Sequence, residues 1–223
     1  MKLRTFTTSQ LPSFTERLAV IPDFLPEETF QALSKEIQSL AGGTRSYLPG
    51  HKKGNTISYE ELRASAPQVV AFYQSSEYQE ILSNIIGTKI APTPTHDNSS
   101  LSILVYEKPG DHIGWHYDHN FYKGRHFTVL IAIENRGNNE DGLSSARLLV
   151  RTKNGDTVVP TPPNLLVLFE GSKTLHRALP IKEGERRVVL SMTYCTDPRN
   201  SLVKEIMRRI KDTAFFGIKA LWK

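Results

Sequence analysis

The 223-residue chain has a single cysteine, Cys195. That excludes an internal disulfide and a cysteine-built zinc site. No apolar run approaches the roughly 20 residues that a membrane span needs. The opening stretch MKLRTFTTSQLPSFTERL is too often interrupted by polar residues for a secretory signal. A cytoplasmic protein is the expectation, and a lone cysteine agrees with a reducing compartment. There is no internal repeat, low-complexity tract or linker. Strong charge of one sign is missing too. The net charge of +5 is mild, suits an anionic small molecule as well as nucleic acid, and selects neither. A basic surface studded with aromatics, which a flipped base and its strand require, is not seen, so nucleic acid is not an expected partner.

What is present is an ordinary globular composition, 39% apolar and 23% charged, in a chain long enough for one domain with a real core. Residues 1–98 read as mainly helical support. LPEETFQALSKEIQSLAGG opens on proline and acids, closes on glycines, and carries Phe30, Leu33, Ile37 and Leu40 at helical spacing. SAPQVVAFYQSSEYQEILSNIIG is a second helical region. Between them, YLPGHKKGNTISYEELR reads as a long polar loop. Residues 99–196 read as a β-core of short β-branched runs divided by Gly, Pro, Asn and Asp, with Asn154-Gly155 supplying a hairpin turn of positive φ. Residues 197–223 read as a C-terminal helix or tail. Leu202, Val203, Ile206 and Ile210 form its apolar stripe, for docking on the sheet, closing as a lid or making a homodimer contact. The expected fold class is α+β, a jelly roll backed by helices.

The stretch GWHYDH holds His116 and Asp118 two positions apart. On a strand such residues share a face. Side by side, an imidazole and a carboxylate can fill two positions of a divalent metal. A second histidine from a distant strand completes a two-histidine, one-carboxylate face, the arrangement that suits non-haem Fe(II). His176, just before a strand, can return to the same sheet. Against this stands a plain alternative, in which His116 is a hydrogen-bonded core histidine. Chance alone supplies about 0.25 such pairs in a chain of this make-up.

Further residues favour the metal. Arg186 and Arg187 follow His176 by ten and eleven positions, and an arginine pointing into a barrel is costly unless it meets an anion. Neighbours on a strand point to opposite faces. The face of Arg187 carries Val189, Ser191 and Thr193, which leave room and offer hydrogen bonds. The face of Arg186 carries Val188, Leu190 and Met192, which read as core. This favours Arg187, with Ser191 as a partner. Tyr106, on the strand before His116, can donate to the same anion, and Pro109-Gly110 marks the turn between those strands.

The order Tyr106, Pro109-Gly110, His116-x-Asp118, His176, Leu179-Pro180-Ile181, Gly184, then arginine resembles the Fe(II)/2-oxoglutarate-dependent dioxygenase superfamily, in its prolyl-hydroxylase-like branch, over roughly residues 100–195. The resemblance implies a double-stranded β-helix core. It also implies His116, Asp118 and His176 as iron ligands, an arginine holding the distal carboxylate of 2-oxoglutarate, O2 as the oxidant and ascorbate as a reductant. Halogenating relatives carry a small residue where the metal aspartate stands, leaving space for chloride. His112-x-Gly114 offers that pattern, but His116 and Asp118 already complete the set, and hydroxylation is expected.

HKKGNTISYEELR followed by YEKPGDHIGWHYDHNFYKGRHFTVLI also resembles the compact hydroxylases and halogenases of free amino acids. A free, cationic or polar amino acid such as lysine is then the expected substrate. The loop 47–63 and the tail become candidate lids, and Glu107 and Asp111 candidate contacts for an ammonium. Hydroxylation of a protein or peptide side chain is the alternative; a non-catalytic jelly-roll binding protein is the reading from another class. His112 and His119 stand near the site, His126 opens a strand, and His51 and His96 fall in loops.

Overall fold

A computed structural model describes residues 12, 14–40, 43–48, 52–200 and 206–207. Among the described residues, twelve strands, including β1 (Leu18–Ile21), β2 (Thr44–Leu48), β4 (Ala91–Pro92) and β9 (Gly155–Val159), form one curled sheet in the order β1-β10-β7-β12-β5-β3-β6-β11-β8-β9, with β2 paired to β3 and β4 to β12. The wall of the site consists of β5 (Leu101–Tyr106), β7 (His126–Arg136) and β12 (Arg186–Cys195). Facing it are β6 (His112–His116), β8 (Leu148–Thr152) and β11 (His176–Ala178). Between the walls lies β3 (Lys52–Ile57), whose C-terminal half pairs with β5 and whose first two residues pair with β6. The connecting β10 spans Leu166–Phe169.

The alternation along β12 builds two cores at once. Val188, Leu190, Met192 and Tyr194 turn outward and join the cluster formed with Leu33, Leu62, Phe72 and Leu82 of the helices. Val189 turns inward with Leu130, Val167 and Phe169. The helices are α1 (Glu27–Gln38), α2 (Tyr59–Ser65), α3 (Pro67–Gln74) and α4 (Ser76–Ile86). Burying the aromatic and aliphatic side chains on both faces of β7 and β12 leaves these strands little freedom of register.

The first part of the chain is less helical than its composition promises. The expected polar loop 47–63 holds the end of β2 (Thr44–Leu48), all of β3 and the start of α2. Ser58 and Glu61 close a capping box at that helix: Glu61 N donates to Ser58 Oγ at 3.4 Å and Ser58 N to Glu61 Oε2 at 2.7 Å. The second helical region is two helices, because Ser75 ends α3 in an extended conformation and caps α4 by accepting from Tyr78 N. In the β8–β9 hairpin, positive φ falls on Gly155 alone (111°) and not on Asn154. Gly155 is the first residue of β9, paired with Thr152 across a two-residue turn. The expected C-terminal helix lies outside the described residues, apart from a helical pair at 206–207. Among the described residues, no helix is long and apolar enough to cross a membrane.

Candidate metal centre

His116 and His176 are direct cross-strand partners on β6 and β11, with ring centroids 4.2 Å apart. Each ring is oriented through its outer nitrogen. His116 Nδ1 lies 2.8 Å from Gly114 O and His176 Nδ1 lies 3.0 Å from Thr174 O. A carbonyl only accepts, so both Nδ1 atoms carry the proton and both Nε2 lone pairs face the cavity. Phe169 packs on His176 with centroids 4.5 Å apart.

Asp118 reaches the pair differently from the expectation. Strand β6 ends at His116, so no ladder holds Asp118. Its backbone N–H donates instead to Gly171 O at 3.0 Å, in the loop after β10. Asp118 Oδ1 then stands 3.5 Å from His116 Nε2 and 3.7 Å from His176 Nε2, and the three donor atoms all lie within 4.8 Å of one another. Burial alone would raise the Asp118 carboxyl. The charge of His176, the hydrogen bond and charge of His116 and the hydroxyl of Thr128 outweigh it and hold the group well below the ordinary carboxylate range. Burial pushes His176 down, towards its neutral form, against the pull of Asp118. For His116 the pull of Asp118 overcomes burial and moves it up. An ionised carboxylate beside two inward imidazole nitrogens is the donor set that a divalent iron takes.

Arg187 and Arg186 separate as the alternation predicts. Arg187 is 2% exposed, lines the cavity, and has a buried Nε with no hydrogen-bond partner. Its register partner across the sheet is Tyr106, whose ring centroid lies 5.4 Å from the guanidinium carbon. Burial lowers the guanidinium and pushes Tyr106 up to about 12, against the pull of Arg187. Arg186 turns away. It binds Glu107 Oε2 through Nη1 at 2.7 Å and Glu134 Oε2 through Nε at 3.0 Å. Ser191 lines the same cavity as Arg187, but four residues on, about 13 Å along the strand.

Two expected substrate contacts are elsewhere. Asp111 is fully buried and taken by Arg45 (2.6 Å) and by the N–H groups of Glu107 and Lys108. Glu107 is held by Arg186 and Asn55. Neither lines the cavity. Tyr106 and His116 are on strands consecutive in sequence, yet β3 intervenes between them in the sheet. That strand brings Lys52 and Thr56 into the cavity, joined by a 2.7 Å bond from Nζ to Oγ1, and sequence reasoning missed both. Asp97, 4% exposed, is the acidic group that lines the cavity beside Asp118; it accepts from Tyr122 Oη at 2.9 Å and Ser99 N at 3.0 Å. His119 and His126 also reach the lining, while His112 is held by Gly110 O at 2.8 Å. His96 is exposed, and His51 lies outside the described residues.

The fold is the double-stranded β-helix of the Fe(II)/2-oxoglutarate dioxygenase superfamily. It superposes on a prolyl hydroxylase from Trichoplax adhaerens, solved with a hypoxia-inducible-factor peptide fragment, with a TM-score of 0.62 and 15% identity over 85% of this chain and 87% of that one. It superposes on the epimerase SnoN of nogalamycin biosynthesis, solved with Fe3+ and α-ketoglutarate, with a TM-score of 0.65 and 11% identity over 84% and 83%. The family model described as Halogenase D matches residues 7–142, and the chain belongs to that family. A PKHD-type hydroxylase of Synechococcus sp. (strain CC9605) is 31% identical over 143 residues, 57% of this chain. The match spans 61% of the length of that curated relative.

Proposed function

We propose that the protein is an Fe(II)- and 2-oxoglutarate-dependent hydroxylase of a free amino acid. The observation that carries the reading is one cavity holding the His116, Asp118 and His176 donors together with a buried arginine whose Nε has no protein partner. Bound there, Fe(II) and 2-oxoglutarate supply the oxidising chemistry that turns O2, 2-oxoglutarate and a substrate C–H into succinate, CO2 and C–OH.

The chain's own groups divide the remaining work. Arg187 meets the distal carboxylate of 2-oxoglutarate with a planar, permanently charged fork. Tyr106, kept protonated by burial, donates beside it. The carbonyls of Gly114 and Thr174 hold the two histidines as neutral ligands. Asp118 occupies the position that a halide would need, which is why hydroxylation is preferred although the family is named for halogenation.

An amino-acid substrate is supported by two charged groups of opposite sign on the cavity wall. Lys52 offers a cation to a carboxylate, and Asp97 offers an anion to an ammonium. Asp97 thus takes the part expected of Glu107 and Asp111. A peptidyl side chain is the second reading, favoured by Tyr117, a cavity-lining aromatic that is 51% exposed.

The test is succinate release by the Fe(II)-loaded protein with O2 and 2-oxoglutarate across the twenty free amino acids, with product masses read alongside. One or a few amino acids should stimulate succinate and gain one oxygen. Equal, slow release with all twenty transfers the assignment to peptides, and failure to bind Fe(II) removes the enzyme reading altogether.

A further inference from the structure

Asp118 sits beyond the end of its strand, yet both oxygens of its carboxylate have neighbours that fix them. Oδ1 faces the two Nε2 atoms. Oδ2 accepts a very short hydrogen bond from Thr128 Oγ1, on β7. Thr128 is itself 4% exposed and fixed in the ladder opposite Thr193 and Phe169. The remaining side of the carboxylate is closed by Gly171. A β-carbon at that position would lie 2.5 Å from Asp118 Oδ2, 2.6 Å from Thr128 Oγ1 and 2.9 Å from Asp118 Cβ. Contacts that short do not occur, so only glycine lets the loop approach this closely.

The loop is anchored as well as close. Gly171 O accepts Asp118 N, and Gly171 N donates to His126 O at 3.1 Å. One residue earlier, the nearly buried Glu170 binds Arg125 Nη2 at 3.0 Å and Arg17 Nε at 3.6 Å. Three residues later, Thr174 O orients His176. A single turn between β10 and β11 therefore sets both Asp118 and His176.

We infer that Thr128 and Gly171 are positioning residues that lock Asp118 as a one-oxygen ligand, an inference that rests on the metal reading of the site. A carboxylate free to rotate can offer both oxygens to one ion. With Oδ2 committed to Thr128, Asp118 offers Oδ1 alone. His116, Asp118 and His176 would then hold the ion through one donor atom each and would leave room on it for the keto acid. Because neither residue touches the ion, their effect is on geometry and affinity.

The deciding experiment is anaerobic titration of the full-length protein with Co(II) and Fe(II), reading the dissociation constant and the Co(II) visible absorption bands. The proteins are wild type, Thr128→Val, Thr128→Ser and Gly171→Ala, each checked for folding by circular dichroism. Thr128→Val keeps the shape and removes the donor. It should weaken binding about 10- to 100-fold, the usual scale for a lost partner of a metal ligand, and alter the Co(II) bands. Thr128→Ser should restore both. Gly171→Ala should weaken binding by a similar factor. A purely structural threonine would shift the melting temperature and leave the bands alone. Wild-type affinity and bands in folded Thr128→Val overturn the inference. No metal binding by wild type overturns the metal reading on which it rests. If Gly171→Ala does not fold, the valine and serine pair still decides.

Discussion

Arg186 and Arg187 are neighbours on β12 that do opposite work. Arg187 is buried in the cavity with an unpartnered Nε, and Arg186 is clamped between Glu107 and Glu134 on the other face. One residue of strand register separates a cation that lines the cavity from one paired on the other face.

The two should respond oppositely to truncation. Arg187→Ala removes one partner of a buried charge pair and should cost about 2–5 kcal/mol of 2-oxoglutarate binding, roughly thirtyfold to several thousandfold in affinity. Arg186→Ala should leave that affinity unchanged and lower stability by no more than about 1 kcal/mol, since its pairs are partly solvated. Anaerobic 2-oxoglutarate titration and urea unfolding of both variants separate the effects. Loss of keto-acid affinity in Arg186→Ala would reverse the assignment.

Asp118 should decide what the metal accepts. Asp118→Gly removes a ligand and opens space bordered by Thr128 and Gly171. Fe(II) affinity should fall at least about tenfold, and hydroxylated product should disappear. Chloride should then recover part of the Fe(II) affinity in this variant and have no effect on wild type. The check is Fe(II) titration with and without chloride.

Much of this geometry is legible in the sequence because the inner strands obey a period of two. RRVVLSMTYC assigns Arg187, Val189, Ser191 and Thr193 to one face and the core residues to the other, and the structure has that alternation. KKGNTI hid its strand for a functional reason. Lys52 and Thr56 turn polar side chains into the cavity, so the apolar alternation that marks a strand is absent where β3 pairs with both walls. The SYEE capping box at Ser58, inside the stretch read as a loop, and the Ser75-Ser76 break, inside the stretch read as one helical region, were visible signals. The role of Gly171 was not legible at all. It depends on a contact between two loops distant in the chain, and a lone glycine has no pattern that announces such an approach.

Acid stability should report on Asp111. Burial raises this carboxyl, but the hydrogen bonds of Arg45, Lys108 and Glu107 outweigh it and the group titrates below its ordinary value. A depressed folded pKa contributes stability above the ordinary carboxylate range, and that stability is lost as pH falls below it. Asp111→Asn should lower stability at neutral pH by about 1–3 kcal/mol, because Arg45 and two N–H groups lose their charged acceptor. The gap from wild type should narrow as pH falls below the ordinary carboxylate value of about 4. Urea unfolding across that range measures it; a gap independent of pH would show that the charge of Asp111 is not what stabilises the turn.

The sharpest test of the metal register sets His112 against His116. Both are on β6 and both are followed two positions later by a residue that fits a known metal pattern, Gly114 in one case and Asp118 in the other. Only His116 has His176 directly across the ladder and a carboxylate oxygen 3.5 Å away. His112 pairs with Lys53 and lies outside the cavity lining. His112→Gln should therefore keep the Fe(II) dissociation constant within about twofold. His116→Gln should weaken it at least about a hundredfold, since a direct ligand is lost rather than one of its supports. The opposite pattern would place the ion at the His112 register, withdraw the carboxylate from its ligands, and turn the chemistry towards the halogenation for which the family is named.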